Sequence, residues 1–442
     1  MMVILGLGSN LGDRLSTLRN ACRHIEKIPD LRVKQISPVY ISDALLPENA
    51  PDEWSIPYLN LALRCETTLE PMALLRELKN IELACGRNLN SVRWGPRDID
   101  IDILAWDDLV IQQDKLNIPH RGLQERPFAL WPLSDVAPLW KYPLTHQTAA
   151  EMVEAWGSRF TGEAPFHTRQ INQRIDTPSL VGVLNITPDS FSDGGNFLQV
   201  KHAVKQASQL VLAGAEVIDI GAESTAPSAT SITPEVEWER LAPVLTTIIA
   251  AKKDFQVTTR ISVDTRHAAT AQKALLAGAD WINDVTGLQD PAMREVLASS
   301  AADCVVMHHV SIPASHHHVL PRDVDVMKTL LTWGKERILL LEKSGISRER
   351  IIFDPGIGFG KTYEQSLQII RHAAAFTQLG VRVLFGHSRK SFLRQFTASP
   401  ANERDIETLV LALYLAKQPV DYLRVHQVEM CARGFRVAEA LV

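Results

Sequence analysis

The stretch Glu216-Val217-Ile218-Asp219-Ile220-Gly221-Ala222-Glu223 is a short β-branched run that ends on the polar tail Glu223-Ser224-Thr225. It is too short for a helix, and its apolar density suits a strand buried on both faces. Runs of the same kind recur at 180–187, 260–265, 281–285, 304–310, 351–355, 381–387 and 422–428, with a helix-length amphipathic stretch between each pair. Eight strands with intervening helices are the rhythm of a (β/α)8 TIM barrel; a doubly wound open sheet is the competing α/β architecture. The strand ends favour the barrel. They carry Asn185, Glu223, Asp264, Asn283, His308, Asp354, Ser388-Arg389-Lys390, Arg424 and His426, polar groups that a closed barrel brings together at its C-terminal face.

Outward from the barrel, 442 residues leave room for a first domain of about 150 residues. Gly157, Gly162, Pro165 and Pro178 break the pattern in between, which predicts a first domain at 1–160, a linker at 161–177 and the barrel at 178–442. In the first domain, strand-like segments at 3–8, 31–37, 59–66 and 98–106 alternate with helical ones at 14–27 and 71–85, an α+β sandwich.

Apolar residues make up 45% of the chain and charged residues 22%, enough for two cores. A net charge of −5 argues against a protein that binds nucleic acid by neutralising phosphates over a broad surface. The five cysteines are scattered without a CxxC spacing, as in a reducing cytosol. No basic leader and no apolar stretch of membrane length stands out, so the expected location is cytoplasmic, away from membranes.

The densest chemistry is Arg93-Trp94-Gly95-Pro96-Arg97-Asp98-Ile99-Asp100-Ile101-Asp102-Ile103-Leu104. In a strand, Ile99, Ile101 and Ile103 face one side while Asp98, Asp100 and Asp102 line the other. Like charges in a row repel, and a divalent cation bound with substrate phosphates relieves them. Arg87, Arg93, Arg97, Arg121 and Arg126, with His120, are near in sequence and suit a polyphosphate. The chain lacks a G-x-x-x-x-G-K-[ST] loop, so it is not a P-loop kinase.

These strings, with Gly8-Ser9-Asn10-Leu11-Gly12, Tyr58-Leu59-Asn60, Ile81-Glu82 with Gly86-Arg87, Pro119-His120 and Arg126-Pro127-Phe128, resemble 6-hydroxymethyl-7,8-dihydropterin pyrophosphokinase over residues 1–155. The resemblance implies a ferredoxin-like fold, ATP as co-substrate and two Mg²⁺ ions on Asp100 and Asp102. It implies Tyr58 and Phe128 around a pterin with Asn60 at the ring edge, and Trp94, Arg87, Arg97, His120 and Arg126 about the substrates. Leu89 and Lys79 depart from residues found in some members.

From 175 to 442 a second resemblance runs through Asn185-Ile186-Thr187-Pro188-Asp189-Ser190-Phe191-Ser192-Asp193-Gly194-Gly195, Gly221-Ala222-Glu223-Ser224-Thr225, Ser262-Val263-Asp264-Thr265, Ile282-Asn283-Asp284, Asp354-Pro355-Gly356-Ile357-Gly358-Phe359-Gly360-Lys361, Ser388-Arg389-Lys390-Ser391 and Arg424-Val425-His426. It is similar to dihydropteroate synthase. That family condenses dihydropterin pyrophosphate with p-aminobenzoate and releases pyrophosphate, without a covalent nucleophile. By the resemblance, Asp264, Asn283, Asp354 and Lys390 hold the pterin, while Asn185, Arg424 and His426 hold the diphosphate and one Mg²⁺. Phe191, Thr225, Pro227, Phe359 and Ser388 shape the p-aminobenzoate side, and the barrels pair as a homodimer. Ala226 stands where the family usually has arginine, and Met307-His308-His309-Val310-Ser311 replaces a frequent Met-His-Met-Gln-Gly. Two active enzymes in sequence, one active enzyme beside a degenerate one, and a noncatalytic pterin-binding module are the readings to separate.

Overall fold

The computed structural model describes residues 1–87, 95–186, 196–223, 231–255, 257–315 and 317–441. It divides into two compact units, Met1–Asp176 and Thr177–Val442.

The first unit runs β1 (Met2–Ser9), α1 (Arg14–Ile25), β2 (Leu31–Ile36), β3 (Tyr40–Ser42), β4 (Tyr58–Thr67), α2 (Pro71–Ala84), β5 (Asp100–Trp106), the short pair β6 (Ile111–Gln112) and β7 (Asn117–Ile118), α3 (Pro127–Val136), α4 (Ala149–Glu154) and β8 (Arg169–Gln170). The sheet order is β5-β1-β4-β3-β8, with β2 also paired to β4, so β2 and β3 are two pieces of one edge. This β-α-β-β-α-β arrangement is the ferredoxin-like one. Asp13 caps α1 by accepting from Ser16 N (3.2 Å), and Pro71 and Pro127 start α2 and α3, where a missing N–H costs nothing.

Strand alternation then decides where the cavity lies. On one sheet face Ile4, Ala62 and Leu104 join the core under α3, which packs on β4 and β1. Further along the same face stand Gly6, Gly8, Asn60, Asp100 and Asp102, where only the first turn of α3 reaches, and this half of the sheet stays open as a pocket floor.

Two expectations change here. Strand β5 begins at Asp100, because Arg97 N donates to Asn10 Oδ1 (2.8 Å) and Asn10 N donates to Arg97 O (3.3 Å), which fixes the chain ahead of the strand. The carboxylate row is therefore Asp100 and Asp102, without Asp98. The segment 161–177 is not a free linker: β8 pairs with β3, and Ala164 packs with Tyr40 and Trp131 in the core, so the first unit extends to Asp176.

The second unit alternates strictly: β9 (Ser179–Asn185), α5 (Asn196–Ala213), β10 (Ala215–Gly221), α6 (Pro234–Ala251), β11 (Arg260–Asp264), α7 (Ala268–Ala277), β12 (Trp281–Asp284), α8 (Pro291–Ala298), β13 (Asp303–Met307), α9 (Val326–Lys343), β14 (Ile351–Asp354), α10 (Tyr363–Arg371), β15 (Arg382–Phe385), α11 (Asp405–Leu415), β16 (Tyr422–Val425) and α12 (Val428–Ala440). All eight strands are parallel and close as β9 to β16 in sequence order, the expected TIM barrel. Val181, Val217, Trp281, Val305, Ile352, Leu384 and Tyr422 fill one layer of its interior. With a period of two, the residues two further along on four of these strands are Asp219, Asn283, Asp354 and Arg424. A dry floor thus carries a polar layer at its C-terminal side. Among the described residues no helix is long and apolar enough to cross a membrane.

Candidate active sites

In the first unit a cavity of about 170 Å³ is bounded by Gly8, Tyr58, Asn60, Arg97, Asp100 and Asp102 of the sheet side and by Arg126 and Phe128 at the start of α3. Gly8 is needed as a floor: a Cβ there would come within 3.2 Å of Asn60 Oδ1 and 3.5 Å of the Tyr58 ring. Asn60 is oriented by donating from Nδ2 to Ser42 Oγ (3.0 Å).

Asp100 carries two guanidinium groups, Arg87 Nη1 on Oδ1 (2.7 Å) and Arg97 Nη1 on Oδ2 (3.0 Å). Among the described residues Asp102 makes no ion pair as short as those of Asp100, and His120 Nε2 lies 3.9 Å from it. Its carboxyl is pushed above the usual range, first by desolvation in the pocket and then by the Asp100 charge. Opposite these two acids in the register stand Gly8 and Gly6, which contribute no side chain to the space above them. Paired hard oxygen donors, an unmet negative charge and open room between them fit a divalent cation bound together with phosphate oxygens.

Glu82 was not among the expected site residues, yet it organises this corner. Buried on α2, it accepts from Ile101 N (2.7 Å) and Lys79 Nζ (2.6 Å) through Oε1 and pairs with Arg87 through Oε2. An acidic residue five positions before Arg87 was the available signal.

In the barrel a cavity of about 550 Å³ opens at the C-terminal strand ends, lined by Asn185, Asp264, Phe359, Ser388, Lys390, Arg424 and His426 among others. Asn283 and Asp354 sit deeper and are buried. Asp354 Oδ1 accepts from Gly356 N (2.7 Å), and Asn283 Nδ2 donates to Asp219 Oδ2 (3.0 Å). Asp219, fully buried, was missed by the sequence reading; it also takes Arg424 Nε at 2.6 Å, while Arg424 Nη2 donates to Asp264 Oδ2 (2.9 Å). Its position two residues beyond the floor residue Val217 is the pattern that would have revealed it.

The electrostatics follow from this burial. Desolvation pushes the Asp264 carboxyl up to about 7, with Arg424 opposing and Asp219 adding to the rise. Burial and the Arg424 charge pull the Lys390 ammonium down to about 8, and its Nζ lies 4.3 Å from the Phe359 ring centre. His426 is pulled down to about 3 by burial and by Arg424, Arg389 and Lys390, so its imidazole is neutral at physiological pH. Ser388 Oγ accepts from His426 N (3.3 Å) and lies 2.9 Å from Nδ1. A hydroxyl proton donated to Nδ1 would leave Nε2–H free as a donor. Arg389, which also lines the cavity, is held in a two-point bond with Asp405 (2.7 and 2.9 Å).

Glu223, Glu237 and His267 also converge, with ligand atoms within 4.8 Å of one another, but both Glu223 oxygens are taken by Arg266 (2.8 and 2.9 Å). Trp94, Phe191, Thr225 and Pro227, expected at the two sites, lie outside the described residues, as does Ala226.

An α+β unit with carboxylates and guanidiniums over a glycine floor, followed by a barrel with cations over buried acids, defines a two-site transferase for phosphorylated heterocycles. Residues 4–138 match the family described as 7,8-dihydro-6-hydroxymethylpterin-pyrophosphokinase, and residues 181–426 match the family of pterin binding enzymes. The folate synthesis bifunctional protein of Chlamydia caviae is 36% identical over 439 residues, spanning 99% of this chain and 97% of that protein. The crystal structure of dihydropteroate synthase from Anaplasma phagocytophilum, with bound 6-hydroxymethylpterin-monophosphate, is 39% identical with a TM-score of 0.55, covering 60% of this chain and 100% of its own. The Xanthomonas albilineans dihydropteroate synthase with 4-aminobenzoic acid is 34% identical with a TM-score of 0.54, covering 60% of this chain and 93% of its own.

The chain belongs to the bifunctional folate-synthesis family. Its first unit is a hydroxymethyl-dihydropterin pyrophosphokinase that uses ATP, and its second is a dihydropteroate synthase.

Proposed function

We propose that the glycine-floored cavity of the first unit holds 6-hydroxymethyl-7,8-dihydropterin between Tyr58 and Phe128, with Asn60 on the ring edge. Asp100 and Asp102 hold two Mg²⁺ ions, which neutralise phosphate charge when bound. Arg87, Arg97, His120 and Arg126 hold the phosphates of ATP. The observation that carries this reading is the Asp100–Arg87–Arg97 cluster beside the under-compensated Asp102. When the triphosphate binds, the two guanidiniums exchange Asp100 for phosphate oxygens and stay in place as charge shifts from the β-phosphate to the leaving AMP. Glu82 keeps Arg87 aimed throughout. Incubation with the hydroxymethyl-pterin, ATP and Mg²⁺ releases AMP; Asp102→Asn lowers that rate by roughly 10²–10³, the usual cost of losing a preorganised charge, while the barrel reaction continues. An unimpaired D102N kinase would refute the assignment.

In the barrel, Asp264, Asn283, Asp354 and Lys390 bind the pterin ring, and Phe359 with Ser388 shapes the p-aminobenzoate side. Arg424 and the Nε2–H of neutral His426 take the diphosphate, stabilising the charge that builds as the C–O bond to the methylene breaks and the aniline nitrogen attacks. Asn185 would hold a single Mg²⁺ through its amide oxygen, and the ion would neutralise charge on the diphosphate. The five cysteines, all free thiols, support a reducing cytoplasmic compartment.

A homodimer through the barrel is supported by the exposed apolar residues Ile406, Val410 and Tyr414, spaced four apart on α11, with Val437 on α12 and Leu441 just beyond it. Light scattering gives twice the chain mass for the native protein and the single mass for Val410→Asp; a native monomer would exclude this pairing.

A further inference from the structure

We propose that Phe166 and His167, in the segment between the two family matches, are positioning residues of the pterin pocket in the first unit. The inference rests on the reading that this cavity binds the hydroxymethyl-pterin. Four observations converge on the segment. The Phe166 ring meets the Phe128 ring edge to face, with centroids 5.4 Å apart and planes at 72°. Phe166 O accepts from Asp43 N (2.9 Å), and His167 Nδ1 lies 2.6 Å from Asp43 Oδ2. Asp43 and Phe128 both line the cavity, on opposite sides of it in sequence. Phe166 and His167 are also consecutive non-glycine residues with left-handed backbone, φ 59° and 43°.

Two adjacent side-chain-bearing residues in that region are strained, and such strain persists only where neighbouring contacts over-determine it. Here β8 supplies those contacts. It pairs Gln170 with Tyr40 and Arg169 with Ile41 on β3, which ends just ahead of Asp43, while Ala164 is buried against Tyr40 and Trp131. The turn between Ala164 and β8 is therefore pinned at both ends, with the Phe166 ring held against Phe128. One residue braces the aromatic wall, and the next ties down the start of the chain between β3 and β4, which contributes Asp43 and Leu45 to the cavity. The segment at 161–176 thus braces two lining residues of the pocket, Asp43 and Phe128, from outside the matched kinase region at 4–138.

The test is steady-state kinetics of the full chain, with the synthase reaction of the same molecule as an internal control for folding. Phe166→Ala removes an aromatic pair and raises the KM for the hydroxymethyl-pterin roughly tenfold, leaving the KM for ATP and the synthase rate as in the native chain. Phe166→Tyr restores the pterin KM. His167→Gly, which suits the left-handed backbone, frees Asp43 and raises the pterin KM several-fold. A pterin KM within about twofold of native in both F166A and H167G would overturn the proposal, as would equal rises for pterin and ATP. Loss of AMP formation by the native chain would instead refute the underlying assignment of the cavity.

Discussion

At the scale of single residues, the charges in the barrel site are set by partners that the chain places beneath them. Arg424 is held on two sides by Asp219 and Asp264, so among the described residues only its Nη1 lacks a protein partner. Asp219 acts through Arg424 and Asn283 and is a positioning residue. Asp219→Asn loses one charge-assisted bond, worth about 1.5–3 kcal/mol, so kcat/KM of the synthase falls roughly 10- to 100-fold while AMP formation is unchanged. Wild-type kcat/KM in this variant would show that Arg424 is held without it. The sequence displayed Asp264, Asn283, Asp354 and Arg424 because each ends or nearly ends a strand. Asp219 was hidden because it lies in the middle of an apolar run, where only the inward period of β10 distinguishes it from a core position.

At the scale of elements, the loops after the strands carry the site because their glycines allow backbone approaches no other residue can make. Gly356, after β14, has φ +70°, and a Cβ there would lie 1.9 Å from His308 O at the end of β13. Lys361, farther along the same loop, spans back to donate to that oxygen (2.8 Å) and lies 2.9 Å from His308 Nδ1. Gly356→Ala therefore forces two strand ends apart and costs about 2–3 kcal/mol or more, lowering the barrel's Tm by roughly 5–10 °C in calorimetry. An unchanged Tm would mean that these loops yield freely. All eight barrel strands were legible from apolar runs, their bounds moving by at most a few residues. Strands β3 and β8 were not, since runs of three and two residues carry no period and exist only through pairing with β4 and with each other.

At the scale of the whole molecule, the division into two catalytic units was legible from length and from the two sets of ordered strings, but the boundary was not. Glycine and proline at 157–178 read as a linker, yet buried Ala164 and the β8 pairing bind that segment into the first unit. Such a tertiary docking leaves no local signature. One chain carries both activities, and their chemistry joins end to end. Supplying the protein with ATP, Mg²⁺, 6-hydroxymethyl-7,8-dihydropterin and p-aminobenzoate, and following AMP and dihydropteroate together, tests it directly. The expected result is dihydropteroate formation that depends on ATP and accompanies AMP; AMP without dihydropteroate, even when dihydropterin pyrophosphate is added, would contradict it.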